Sequence, residues 1–129
     1  MLEFPCPTWL AAAELFFALV IGHALADFPL QGEFLAICKN RRFLVRLKDP
    51  NRPPELWPYC MGAHCLIHAG AVWIVTGSVV LGVVELVLHW TLDVLKCSGL
   101  THFGWDQIAH VLCKAAYVAV GLWLGMQAA

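Results

Sequence analysis

The sequence predicts an all-α integral-membrane protein, an antiparallel bundle of four transmembrane helices forming one domain over residues 1–129. Three observations predict it. The chain is 60% hydrophobic and only 13% charged, against about half apolar and about a quarter charged in an ordinary globular protein. Its mean hydropathy is +0.72, too apolar to clothe a water-facing sphere. The apolar residues also gather into runs that can cross a hydrocarbon core of about 30 Å at about 1.5 Å rise per residue.

The first run extends from Trp9 to about Leu30, with Glu14, His23 and Asp27 as its only ionisable members. Ala24-Leu25-Ala26 imitates a signal-peptide cleavage site. Met1-Leu2-Glu3 carries no positive charge, however, and Glu14 interrupts the apolar core, so a retained membrane helix is expected. Residues 38–58 then change in composition. Six of the eight basic residues (Lys39, Arg41, Arg42, Arg46, Lys48 and Arg52) lie here with Pro50, Pro53, Pro54 and Pro58. Helix interiors do not tolerate proline, so this segment is expected to be the one substantial loop. A stretch from Tyr59 to about Leu95 is too long for one crossing and suits two, divided at Thr76-Gly77-Ser78 into helices over 60–77 and 79–96. After a break at 97–104, the fourth helix is expected over 105–126. There is no internal repeat and no low-complexity tract.

Lysine and arginine in short loops mark the cytoplasmic side. The basic loop and Lys96 therefore predict both termini outside, with the two longer loops in the cytoplasm. With a net charge of −1, the basic cluster reads as an orientation signal and not as a nucleic-acid surface. The partner expected from composition is the lipid bilayer, and no residue pattern specifies an oligomeric state. The six cysteines (Cys6, Cys38, Cys60, Cys65, Cys97 and Cys113) contain no C-x-x-C. They read as reduced packing residues, not as a disulfide scaffold or a structural zinc site.

Ionisable residues within membrane helices cost about 3 kcal/mol each near the centre. Here they are ordered. The predicted helices carry His23 and Asp27, His64 and His68, Glu85, His89 and Asp93, and Asp106 and His110. Every step is i, i+4, which places successive side chains on one helix face. With alternating helix direction, the pairs fall at one depth near the cytoplasmic end, where a bundle would make them converge. A purely structural role for each pair, as an interhelical hydrogen bond, would return only about 1 kcal/mol.

Neutral imidazole with carboxylate suits a divalent metal, zinc first and then iron or manganese. The candidate ligands are His23, Asp27, His64, His68, His89, Asp93, Asp106 and His110. The candidate catalytic carboxylates are Asp27, Glu85, Asp93 and Asp106. A metal held by three of these ligands would lower the pKa of its bound water to about 7, giving hydroxide for attack on an ester or phosphoester. The donors outnumber one catalytic set, so two metals or one metal with a rich outer shell are both compatible with the pattern. Lys96, Gln31 and Gln107 are candidate substrate contacts, and Lys96 also suits an interfacial snorkelling role. Lys114, one turn beyond His110, is placed to neutralise a carboxylate. Glu14 lies about 180° from His23 and is set apart; His102 reads as a solvated loop residue and the six tryptophans as interfacial anchors.

The runs His23-Ala24-Leu25-Ala26-Asp27-Phe28-Pro29-Leu30-Gln31, His64 with His68, His89 through Lys96, and Asp106-Gln107-Ile108-Ala109-His110 resemble a family of small integral-membrane proteins. That family is a domain of unknown function found in tailed phages and bacteria, and the likeness covers nearly the whole chain. It implies the same four helices and site residues, and a bacterial inner membrane, or the host membrane for a phage-encoded copy. It implies no reaction.

The leading expectation is a metal-dependent membrane hydrolase acting on a lipid or lipid-linked ester or phosphoester at the cytoplasmic leaflet. One alternative is a non-enzymatic phage or bacterial membrane protein, acting as envelope-modifying factor, proton or ion conductor, or metal-binding sensor. A conductor would spread its ionisable residues across the bilayer, whereas these sit on one side. A membrane di-iron oxygenase shares the H-x-x-x-H pattern, but such sites also use adjacent His-His pairs, which this chain lacks.

Overall fold

In the computed structural model of the protein, residues 4–128 are described. Met1-Leu2-Glu3, on which part of the signal-peptide argument rests, and Ala129 lie outside the described residues. Six α-helices follow in order: α1 (Trp9–Asp27), α2 (Gly32–Cys38), α3 (Arg41–Leu47), α4 (Trp57–Thr76), α5 (Val79–Cys97) and α6 (Phe103–Ala128). A single 3-10 turn, Pro54–Leu56, leads into α4.

Local chemistry sets the boundaries. Thr8 Oγ1 accepts from the Ala11 N–H at 3.2 Å and starts α1. The helix ends at Asp27, earlier than the expected Leu30: Pro29 has no N–H to continue the ladder, and the Leu30 N–H takes Leu25 O instead at 3.0 Å. The expected loop over 38–58 is largely helical. Cys38 closes α2, and the proline-free stretch 41–47 forms α3 under the cap of Asn40, whose Oδ1 accepts from the Phe43 N–H at 3.1 Å. Pro50 and Pro53 stay in the connection. Pro58 falls in the first turn of α4, where a missing N–H costs nothing, so that helix begins at Trp57 and not at 60. The break between α4 and α5 is where the sequence put it. Gly77 takes φ +70, its N–H returns to Trp73 O at 2.7 Å, and Ser78 caps α5.

The four long helices close a ring in which α1 packs on α4 and α6, and α5 packs on α4 and α6. Neighbours run antiparallel. The end of α1 (Asp27) meets the first half of α4 (His64, His68), and the end of α5 (Lys96) meets the start of α6 (Asp106). The N-terminal segment is tied to the far end of α6 by the Cys6 N–H, which donates to Gly121 O at 3.0 Å. The short helices α2 and α3 lie over the other end, with α2 against α4.

Two apolar clusters bracket the bundle interior. Leu15, Leu19, Val72, Tyr117 and Leu122 fill the end near the N-terminal segment, while Cys38, Leu44 and Cys60 pack under α2 and α3. The bundle also buries eleven polar or charged residues and exposes large apolar ones, including Leu10, Ile74, Val80 and Leu112. Polar inside and apolar outside is the arrangement of a chain whose outer surface faces lipid. Three spans are long and apolar enough to cross a membrane: Trp9–Asp27, Pro54–Thr76 and Phe103–Ala128. The expected fourth, α5, has the length at 19 residues, but Glu85, Asp93 and Lys96 lie along it, so length and composition alone mark three spans and not four.

Candidate metal centre

Five histidines from all four long helices meet in the polar interior. His64, His68, His89 and His110 are at most 1% exposed and His23 is 5% exposed, so bulk solvent does not reach them. Their rings form a layered group. His68 stacks on His89 with centroids 3.6 Å apart, and His89 stacks on His110 at 4.1 Å. His23 flanks His68 at 5.0 Å, and His64 meets His89 edge-on at 4.9 Å. The i, i+4 spacing thus brings every predicted helix to one site. The sixth histidine, His102, is exposed in the α5–α6 connection, as its loop position predicts, and accepts from the Gly104 N–H. Glu14 is exposed on the outer face of α1.

The four interior acids differ in their partners. Glu85 takes Lys114 Nζ at 2.6 Å and His89 Nδ1 at 3.2 Å on Oε1, and accepts from Tyr117 Oη–H at 2.8 Å on Oε2. Asp93 is clasped by Lys39 Nζ on Oδ2 and Lys96 Nζ on Oδ1, both at 2.5 Å. Lys96 also reaches Asp106 Oδ2 at 2.7 Å. Asp27 alone of the four has no lysine partner among the described residues. Its Oδ2 accepts from Gln107 Nε2–H at 2.8 Å and lies 3.4 Å from His23 Nε2, while Oδ1 lies 3.1 Å from His68 Nε2 and 3.6 Å from His64 Nε2.

These pairings place several sequence candidates. Lys114 neutralises a carboxylate, as expected. Lys96 and Gln107, expected as substrate contacts, place polar atoms on Asp93, Asp106 and Asp27. Gln31 sits in the turn after α1 and leaves Oε1 buried without a hydrogen bond among the described residues. Two participants escaped sequence reading. Tyr117 lies one turn beyond Lys114 on α6, a spacing that was readable. Lys39 was counted as a loop charge, and only the unforeseen helix α2 carries it inward, to 5% exposure.

Around His64 Nε2 the geometry is short of cations. Within reach lie His89 Nε2 at 3.1 Å, Asp93 Oδ2 at 3.2 Å and Asp27 Oδ1 at 3.6 Å. Carboxylate oxygens only accept. His89 gives its Nδ1–H to Glu85, so in the neutral ring its Nε2 presents a lone pair. One N–H on His64 cannot serve three acceptors. Asp27, His64, His68 and His89 each offer a ligand atom within 4.8 Å of the others. Zinc–nitrogen bonds of about 2.0–2.1 Å in a tetrahedron imply donor separations of about 3.3 Å. The measured separations of 3.1 Å (Asp27 to His68), 3.1 Å (His64 to His89) and 3.6 Å (Asp27 to His64) straddle that value. Two further triads, Glu85 with His89 and His110, and Asp93 with Asp106 and His110, meet the same distance criterion. Their carboxylates are already held by lysines. The donor set that fits a divalent cation best is therefore the one around Asp27.

The chain belongs to the family described as a protein of unknown function (DUF3307), which matches residues 15–128. Neither a curated protein nor a solved structure matches the chain.

Proposed function

We propose that this member of the family is a metal-dependent membrane hydrolase. It holds one divalent cation, zinc before iron or manganese, on His64, His68 and His89, with Asp27 beside it as general base. The observation that carries the reading is the convergence of lone pairs on an interior centre that includes Asp27, the carboxylate with no lysine partner among the described residues. Asp27 is also the least buried of the four acids, its side chain 10% exposed against at most 1% for the others. It is the acid a water or a substrate reaches first. Three neutral histidines with an adjacent carboxylate leave a position for water, and a cation there brings the pKa of that water to about 7. Glu85 holds His89 by its Nδ1–H and turns its Nε2 inward, the carboxylate–histidine pairing that orients metal ligands.

Charge favours one cation over two. With neutral histidines, the carboxylates of Asp27, Glu85, Asp93 and Asp106 outnumber the ammonium groups of Lys39, Lys96 and Lys114 by one. One dication would bring that net charge from −1 to +1; a second would bring it to +3, an excess of positive charge for a buried site.

In this reading α5 is the fourth membrane helix, its three charges turned into the bundle. Both termini lie outside and the centre opens toward the cytoplasmic leaflet of the bacterial inner membrane, or of the host's for a phage-encoded copy. The substrate is a lipid or lipid-linked ester or phosphoester. A proton or ion conductor is disfavoured, because the apolar cluster of Leu15, Leu19, Val72 and Leu122 fills the far half of the bundle and interrupts any polar path.

Elemental analysis of detergent-purified protein tests the reading. About one zinc, iron or manganese per chain is expected, lost in the His64→Ala, His68→Ala double variant. Absence of all three metals from protein purified without chelators sinks it.

A further inference from the structure

We infer that a pocket beside the metal centre binds the phosphate of an anionic lipid, whose chain lies along the groove between α4 and α5. As a substrate site it rests on the hydrolase reading, and it narrows that reading from esters in general to phosphoesters.

Three cations, Lys39, Arg41 and Arg42, line a cavity of 230 Å³ walled on its apolar side by Trp57, Met61 and Val94. Arg41 and Arg42 are exposed and have no acidic partner among the described residues. Two unpaired guanidinium groups over one small cavity match a phosphate, which takes paired N–H donors from arginine. Arg42 lies beside the α5–α6 turn: Gly99 has φ +72, and a Cβ there would lie 3.0 Å from Arg42 Nη1.

A second cavity lies beyond its apolar wall. Trp57 packs on Trp90 with ring centroids 6.2 Å apart, and Trp90 lines a second cavity of 390 Å³ with Gly62, Leu66, Leu86 and Val87. Leu66 and Leu86 also line a third, of 260 Å³, which runs on past Gly70 to Trp73 and Gly82. One seam between two helices thus carries a cationic end followed by two apolar cavities, the division of a phospholipid into headgroup and chain. Free phosphate would use only the first cavity.

The cationic end adjoins the metal centre. Lys39, which lines the cavity, ion-pairs with Asp93 Oδ2, and the same oxygen lies 3.2 Å from His64 Nε2. Only Lys39 and Asp93 then stand between that phosphate and His64.

Native mass spectrometry of the full-length, detergent-solubilised protein, titrated with dioleoyl phosphatidic acid, dioleoylglycerol and inorganic phosphate, tests the site. The expected result is one tightly retained phosphatidic acid, with dioleoylglycerol at least 10-fold weaker. Arg41→Ala with Arg42→Ala should weaken phosphatidic acid at least 10-fold while metal content stays at the wild-type level. These two exposed residues are chosen because removing Lys39 would leave Asp93 short of a partner in the interior. Gly62→Leu, which crowds the apolar groove, should also weaken the lipid. Equal retention of dioleoylglycerol, or phosphatidic acid binding indifferent to the two arginines, overturns the proposal. So does inorganic phosphate binding as tightly as the lipid, because the groove would then contribute nothing. Lipid binding by a protein that proves metal-free would leave the pocket standing and remove the hydrolase reading alone.

Discussion

Lys39 Nζ lies 2.5 Å from Asp93 Oδ2, although 54 residues separate them and one belongs to a segment that reads as a solvent-facing loop. The contact docks α2 onto the bundle and fixes the carboxylate next to His64. Lys96 holds the other Asp93 oxygen. Asp93 thus serves as an anchor between two lysines, leaving Asp27 as the carboxylate free of them.

Removing Lys39 alone breaks a buried ion pair and should be strongly destabilising. Lys39→Met is expected to cost about 3 kcal/mol, read as a lowered thermal midpoint in detergent. Adding Asp93→Asn should recover part of that loss. A single variant as stable as wild type would show that the pair does not hold α2 in place.

Asp27 and the histidines should separate by readout. His64→Ala, His68→Ala and His89→Ala are each expected to lose bound metal, whereas Asp27→Asn should keep most of it and reduce hydrolysis of a phosphoester lipid by about 10²–10⁴-fold. Metal loss from Asp27→Asn equal to that from His64→Ala would make Asp27 a ligand and close the site to water. His102→Ala, outside the cluster, serves as the unaffected control.

Glu85 touches His89 but no other member of the donor set around Asp27, so its effect should be indirect. Glu85→Gln keeps the shape but loses the charge that orients His89. Metal affinity should fall about 10–100-fold, measured by competition with a chromogenic chelator. Unchanged affinity would assign Glu85 solely to pairing with Lys114 and Tyr117.

Metal and stability should be linked, because the donors come from different helices and are assembled only in the folded bundle. At free zinc about 100 times its dissociation constant, the folded state gains about 2.7 kcal/mol. Chelation should therefore lower the thermal midpoint, and adding zinc back should restore it. A midpoint indifferent to both would place no cation in the folded bundle.

The α4–α5 seam is close at Gly82, where a Cβ would lie 3.1 Å from Ala69 O and 3.2 Å from Trp73 Cβ. Gly82→Leu should overpack it at a cost of about 1–3 kcal/mol. Full stability of that variant, again by thermal unfolding, would mean that the two helices are not held at this distance.

The sequence by itself determined the helical class, the three strongly apolar spans, the turn at Gly77, and a cluster of five histidines at one level. Each follows from a local rule. Hydropathy accumulates along a run, glycine admits positive φ, and an i, i+4 step repeats a helix face wherever the helix ends up. For the same reason His23, His64, His68, His89 and His110 could be assigned to one site before any helix was placed beside another. What only the tertiary structure decided was how the charges divide. A lysine side chain reaches across whatever gap the packing leaves, and sequence distance says nothing about that gap. Lys39 thus came inward at the end of the short helix α2, and Lys96 and Gln107 turned to carboxylates. Among the described residues Asp27 emerged as the one interior acid with no ammonium beside it, because electrostatic pairing depends on separation in space, which the packing of α1, α4, α5 and α6 alone sets.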